Sequence, residues 1–346
     1  MPFIRNLWYV AAWSDELDMS GPIGRVIAGE PIVFYRKPDG ALVALEDRCP
    51  HRHAPLSLGR VEGAGLRCMY HGLTFREDGM CTGGPGPTVV PPGTAARAFP
   101  VVERWDWIWV WTGDPALADP AAIPQVHDPD DDDWVMRRDA IDYAADYQLI
   151  HDNLCDLSHL DFTHETTLGA ATGSKWADGE PGITALADGL LFERWFEDHV
   201  LTPGQDTRAD SRKSWRFILP GLFLMDTRAY PVGTARASGF DRPNAEPIFR
   251  RREQQAVTPV GEGRSRYLYA TGVETRNATP VGLSGRVDVI AAAFAEDKRM
   301  IEAQQRIWDL TPSDRKKLFL PQDKAPAQFR RLVDRRLALE HPADAR

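Results

Sequence analysis

At 346 residues, the chain is long enough for one large or two medium domains, and two is the working expectation. Its 43% hydrophobic and 26% charged residues are an ordinary soluble balance, and no uncharged apolar run approaches the roughly 20 residues a membrane helix needs, which excludes a membrane protein. A net charge of −9 disfavours a nucleic-acid partner, and four cysteines in so long a chain argue for bound metal rather than a disulfide scaffold.

The opening segment, MPFIRNLWYVAAWSDELDM, has one early basic residue and no long apolar core before a small-residue cleavage site, which predicts a mature cytoplasmic start. Residues 1 to about 113 then read as short strands. RVIAGEPIVFYR, ALVALEDRC, LRCMYHGLTF and WDWIWVWTGD alternate or carry aromatic and β-branched residues between glycines and prolines. GGPGPTVVPPG, from Gly83 to Gly93, is too rich in Pro and Gly for a helix or central strand and is expected to be a loop.

Composition breaks at GDPALADPAAIPQVHDPDDDDW, where prolines precede the acidic run Asp130 to Asp133, expected to be solvated. The domain boundary is placed near residue 115, giving an all-β domain over 1–115 and a second domain over 116–346. In the latter, YAADYQLIHDNLCDLSHLDFTH has helical apolar spacing, and residues 175–275 alternate like strands. Val287 to Trp308 lacks Gly and Pro and predicts a long helix, whereas Arg330 to Arg336 reads as a solvated helix face. The second domain is therefore expected to be α+β, an antiparallel sheet flanked by helices.

Two constellations carry chemistry. Cys49-x-His51 and, after sixteen residues, Cys68-x-x-His71 supply two thiolates and two imidazoles. Such a set suits zinc, or a [2Fe–2S] centre with two histidines on one iron. Zinc fingers usually pair Cys with Cys and His with His, whereas each loop here offers one of each, as a cluster with one thiolate iron and one imidazole iron requires. The imidazole iron is expected outermost. His53 is not expected to be a ligand, and Cys81, without a partner at a metal spacing, is expected to be a buried thiol.

In DNLCDLSHLDFTHE, Asn153, Asp156 and His159 are spaced by three and would line one face of a helix. His164 falls about 140° round from His159, so both imidazoles can face one metal only if the helix ends or kinks between them. Two histidines and one carboxylate with open positions suit iron(II) that binds dioxygen. The third ligand is expected to be Asp297 in FAEDKRMIEAQQ, with Glu296 as the alternative. Arg216, Arg228 and Arg236 fall in expected strands and could pair a substrate carboxylate or sulfonate.

DRCPHRHAPLSLG and LRCMYHGLTF resemble the two loops of Rieske domains. With NLWYVAAWSDEL, IWVWTGD, DYQLIHDNLCDLSHLDFTH, RYLYATG and EDKRMIEAQQ in this order, the chain resembles the oxygenase component of Rieske non-haem iron monooxygenases of the vanillate O-demethylase group, which includes dicamba O-demethylase. Leu73, where ring-dihydroxylating relatives usually have Trp, favours that group.

The resemblance implies a Rieske [2Fe–2S] domain held at Cys49, His51, Cys68 and His71, followed by a helix-grip-like catalytic domain. There His159, His164 and Asp297 would hold one iron(II), with Asn153 close by. Asp156 would link His159 to His71 of a neighbouring subunit in a head-to-tail homotrimer. It further implies hydroxylation of a small aromatic substrate such as a methoxybenzoate, most readily as O-demethylation. Methyl hydroxylation, N-demethylation and simple electron transfer are the alternatives. With no G-x-G-x-x-G after a strand, the chain needs a separate reductase or ferredoxin drawing on NAD(P)H.

Overall fold

Strands that bury both faces organise the first part of the molecule. The computed structural model describes residues 3–340 apart from 88, 128–132, 170–174, 180, 202–206, 279 and 313, and not the side chains of 280–287. Two compact units result: Met1–Gln125 with Thr258–Glu262 and Leu337–Arg346, and Val126–Val257 with Gly263–Arg336.

The first unit holds three small sheets. One joins β1 (Trp8–Trp13) and β9 (Val101–Arg104) to β10 (Trp107–Trp111), and another joins β2 (Ile23–Ile27), β3 (Glu30–Arg36) and β4 (Leu42–Glu46). The third runs through β5 (Arg60–Glu62), β6 (Gly65–Arg67), β7 (Thr74–Phe75) and β8 (Cys81–Gly83). Side chains alternate along a strand, so β3 sends Ile32 and Phe34 into a core with Tyr9, Leu17 and Ile108. Val33 and Tyr35 enter a second core with Leu45, Leu56, Leu66 and Phe75. The second core also contains Cys49 and Cys68. Beyond Gly83 the described residues form no helix or strand through Gly93, as expected of that loop, and Cys81 is only half-buried rather than buried.

The second unit is one seven-stranded antiparallel sheet whose longer helices pack on one face. Its strands are β11 (Trp134–Tyr143), β12 (Gly182–Ala185), β13 (Gly189–Val200), β14 (Arg208–Ile218), β15 (Leu222–Tyr230), β16 (Phe249–Gly261) and β17 (Arg264–Glu274), in the spatial order β11-β17-β16-β15-β14-β13-β12. The helices are α1 (Tyr147–Cys155), α2 (Leu160–Thr163), α3 (Thr234–Ala237), α4 (Pro280–Asp309) and α5 (Lys324–Glu340). Phe217 and Phe223 of the sheet pack edge-on or tilted against Phe329 of α5, Phe223 also meets His151 of α1, and Tyr267 and Tyr269 meet Phe294 of α4. Those contacts mark the helix-bearing face.

Ile290, Ala293, Phe294, Asp297 and Ile301 form the buried stripe of α4, at the three- and four-residue steps of a helix. Asp297 is its one acid, carried into the interior by the apolar residues around it. In α5, Phe329 and Val333 are buried while Arg331 and Arg335 face solvent, so the basic segment is one side of an amphipathic helix. No helix among the described residues is long and apolar enough to cross a membrane. Of the acidic run, Asp130 to Asp132 lie outside the described residues.

Candidate metal centres

The two Cys–His loops of the first unit repeat one backbone pattern. The Cys49 amide donates to the Ala54 carbonyl at 2.8 Å and the His53 amide to the Cys49 carbonyl at 2.8 Å. Likewise Cys68 donates to Leu73 at 2.8 Å and Gly72 to Cys68 at 2.9 Å. The fifth residue of each loop has positive φ, +56° at His53 and +78° at Gly72. His53 thus fills a left-handed turn position that Gly fills in the other loop, which accounts for it without a ligand role.

Each turn buries its sulfur and exposes its imidazole. Cys49 and Cys68 are 2% and 1% exposed, whereas His51 and His71 face solvent with ring centres 4.5 Å apart. Burial pushes the Cys49 thiol up, opposed by a hydrogen bond from the His51 amide, and the neighbouring Cys68 sulfur adds to the rise. Two adjacent thiols inside and two adjacent imidazoles outside could hold a [2Fe–2S] centre with its imidazole iron outermost.

In the second unit α1 stops at Cys155. Asp156 is extended (φ −95°, ψ 117°), and its Oδ1 accepts from the Ser158 amide and hydroxyl, each at 2.7 Å, a local turn that competes with continued helix. Asn153, Asp156 and His159 therefore do not share one helical face, contrary to the expectation from their spacing. The chain resumes as the single turn of α2, with His159 at its start and His164 just past its end. The expected interruption thus brings both imidazoles inward.

His159, His164 and Asp297 place one ligand atom each within 4.8 Å of one another. Asp297 Oδ1 lies 3.2 Å from His164 Nε2 and 3.6 Å from His159 Nε2, and accepts a 3.0 Å hydrogen bond from Asn153 Nδ2. The outer nitrogens are spoken for. His159 Nδ1 donates to the Asp156 carbonyl at 2.6 Å, and His164 Nδ1 donates to Glu296 Oε2 at 2.8 Å, which also accepts from Thr167 Oγ1 at 2.8 Å. A proton fixed on each Nδ1 leaves both Nε2 lone pairs converging with a carboxylate, a fit to a mononuclear metal ion. Glu296, expected as the alternative ligand, instead orients His164 from behind.

Electrostatics separates the two rings. Burial lowers the His159 pKa, against the pull of Asp297. Burial also lowers His164, but hydrogen bonds it donates to the Asp297 and Glu296 carboxylates, and their charges, outweigh it and raise that group. The Asp156 carboxylate Oδ2 stands 3.9 Å from His159 Nδ1, and Asp156 borders a cleft with Ser158, Trp176, Ile183, Pro321 and Gln322.

Of the arginines that could pair a substrate acid, Arg216 is exposed, Arg228 pairs with Asp226 at 2.7 Å, and Arg236, expected in a strand, lies in the short helix α3 and pairs with Glu197 at 2.6 Å. The sequence reading also missed Lys213. It lies buried among aromatic rings, and only strand register places it there.

Comparison with known proteins agrees with this geometry. The family described as Rieske [2Fe-2S] domain matches residues 7–94, and the vanillate O-demethylase oxygenase C-terminal domain matches residues 143–339. The iron-sulfur subunit of the toluene-4-sulfonate monooxygenase system of Comamonas testosteroni is 37% identical, covering 99% of each chain. The oxygenase component of dicamba O-demethylase from Stenotrophomonas maltophilia is 46% identical over 88% of this chain and 89% of its own. A crystal structure of dicamba monooxygenase bound to dicamba superposes with a TM-score of 0.86 at 30% identity, covering 99% of this chain and all of the other.

Proposed function

The chain belongs to the Rieske non-haem iron oxygenases of the vanillate O-demethylase type, and from that premise we propose that it is the oxygenase component of a monooxygenase that O-demethylates a small aromatic acid such as a methoxybenzoate. The observation that carries this reading is the convergence of His159, His164 and Asp297, in a chain that also holds paired Cys–His loops. Residues 1–115 would serve as the cluster domain and 116–346 as the catalytic domain.

In this reading Cys49 and Cys68 hold one iron of the [2Fe–2S] cluster, His51 and His71 hold the other, and His159, His164 and Asp297 hold the iron(II). When bound, these groups supply one-electron transfer and dioxygen activation. The residues around them do the rest. The Asp156 carbonyl and the Glu296 carboxylate keep a proton on each Nδ1, so that Nε2 stays a donor. Asn153 steadies Asp297 by donating to its Oδ1. Asp156, beside the open cleft, is assigned the link from His159 to His71 of the partner subunit.

Hydroxylation of a methoxy carbon takes one dioxygen, two electrons and two protons. It releases a phenol, formaldehyde and water once the hemiacetal collapses. The electrons would come from NAD(P)H through a separate reductase or ferredoxin, and the assembly would be a cytoplasmic homotrimer. Full-length similarity to the toluene-4-sulfonate system favours methyl hydroxylation as a second reading.

Oxygen uptake with a compatible reductase, screened over methoxybenzoates, methylarenes and N-methyl heterocycles, tests the proposal. Substrate-dependent uptake with formaldehyde release from a methoxybenzoate supports O-demethylation. Uptake with methylarenes alone moves the reading to methyl hydroxylation, and no uptake with any of them rejects an aromatic oxygenase.

A further inference from the structure

Arg194 of β13, Lys213 of β14, Thr227 of β15 and Arg251 of β16 stand opposite one another across four neighbouring strands, so their side chains share one face of the sheet. Phe217 and Phe223 lie four residues along from Lys213 and Thr227, and both meet Phe329 of α5. The row therefore lies on the helix-bearing side. The metal centre is on that side too, since Tyr267, packed on Phe294 of α4, has both Glu253 and Asp297 as charged neighbours.

Lys213 is the odd member of this row. It is 7% exposed and has no hydrogen-bond or ion-pair partner among the described residues. Its Nζ lies 4.2 Å from the centre of the Trp176 ring and 4.8 Å from that of Phe196. The nearby acid, Glu253, is engaged elsewhere: Arg251 Nε is 3.0 Å from its Oε1, and Gln255 Nε2 donates to its Oε2 at 3.3 Å. Arg194 donates to the carbonyls of Trp176 and Lys175. Asp161 and Asp178 are the acids near Arg194, and two further buried donors, Thr227 Oγ1 and Trp176 Nε1, have no partner. A buried ammonium beside idle donors is costly unless an anion joins it.

We propose that Lys213 anchors the carboxylate or sulfonate of an aromatic acid substrate, with Thr227 Oγ1 and Trp176 Nε1 as flanking donors. The assignment rests on the oxygenase reading and names its substrate subsite. A hydrogen-bonded charge pair of this kind is worth about 10- to 100-fold in affinity. Burial, aided by Arg251 and Arg194 and opposed by Glu253, pulls Lys213 down to about 7. Arg194, His199, Arg251 and Glu253 are the groups that face it, and burial holds His199 neutral there, at about 4. Anion affinity should therefore weaken as pH rises above about 7.

Calorimetry on the holoenzyme tests the anchor with 4-methoxybenzoate, toluene-4-sulfonate and the neutral 4-methoxybenzamide, in wild type, Lys213→Met and Lys213→Arg. The expected result is that wild type prefers at least one anion to the amide, Lys213→Met loses about 10- to 100-fold for that anion and little for the amide, and Lys213→Arg retains most of the preference. Anion binding unchanged in Lys213→Met, or an equal loss for the amide, overturns the anchor. Oxygen uptake with neutral aromatics and no anion preference would leave the oxygenase reading standing and the anchor rejected. Lys213-dependent anion binding without uptake on any aromatic would do the reverse.

Discussion

Replacing Glu296 probes how the metal ligands are held. Its Oε2 accepts from His164 Nδ1 and from Thr167 Oγ1, each at 2.8 Å, and His164 is 2% exposed. Outer partners of this kind are typically worth about 10- to 100-fold in metal affinity, or about 1.4–2.8 kcal/mol. Glu296→Gln keeps an acceptor but loses its charge and should fall at the lower end of that range. Glu296→Ala frees the imidazole to rotate and should fall at the upper end. Thr167→Val should cost only a few-fold, since it removes the hydroxyl that steadies the carboxylate and not the carboxylate itself. Anaerobic competition for iron(II) against a chelator measures the affinities, with visible cluster absorption as the internal control. Wild-type affinity in both Glu296 variants would refute the orienting role, and iron loss confined to Glu296 variants, with Asp297 variants unaffected, would return Glu296 to the ligand set.

Four other substitutions test separate parts of the account. Asp156→Asn should leave both metals bound yet nearly abolish substrate-dependent oxygen uptake, and near-normal uptake would remove Asp156 from the link to the partner subunit. His53→Gly should retain the cluster and change stability by no more than about 1 kcal/mol, because glycine suits positive φ. Gly72→Ala should destabilise the loop, since its new Cβ would sit 3.1 Å from Pro85 Cδ in a left-handed turn; thermal melts with cluster absorption compare the two, and cluster loss in His53→Gly would make His53 a ligand after all. His151, fully buried with both ring nitrogens unpartnered, is pulled by burial and then by Arg330 down to about 3. Below about 6.5 the unfolded chain therefore takes up a proton that the folded one refuses, and about 2 kcal/mol of stability is lost between pH 6.5 and 5. Denaturant unfolding at pH 7 and pH 5 should show His151→Leu escaping that loss, whereas parallel pH dependence in variant and wild type would contradict it.

The parts of the site that were readable along the chain are those whose ligands are close in sequence. Each Cys–His loop is one turn, so its spacing exposed it, whereas Asp297, far along the chain from the histidines, was expected only as a carboxylate on an amphipathic helix. His53 was opaque because a left-handed φ leaves no mark in composition. The contact of Glu296 with His164 was not foreseen because a helical wheel treats adjacent residues as diverging. An imidazole has nitrogens on both sides, so two neighbours on α4 can grip one ring from opposite edges. The end of α1 at Cys155 was in fact signalled by Asp156-Leu157-Ser158, whose short polar side chains favour a local turn. Lys213 lay beyond reach because its neighbours come from strands paired across the sheet, and register is a tertiary property.

The central claim is that one chain holds two distinct iron centres, and iron and sulfide analysis combined with low-temperature electron paramagnetic resonance tests it most directly. Wild type should carry a two-iron, two-sulfide cluster with a rhombic reduced signal plus one further iron, and Asp297→Ala should lose that last iron and keep the cluster signal. Zinc in place of the cluster, or an Asp297→Ala protein with its full iron content, would contradict it.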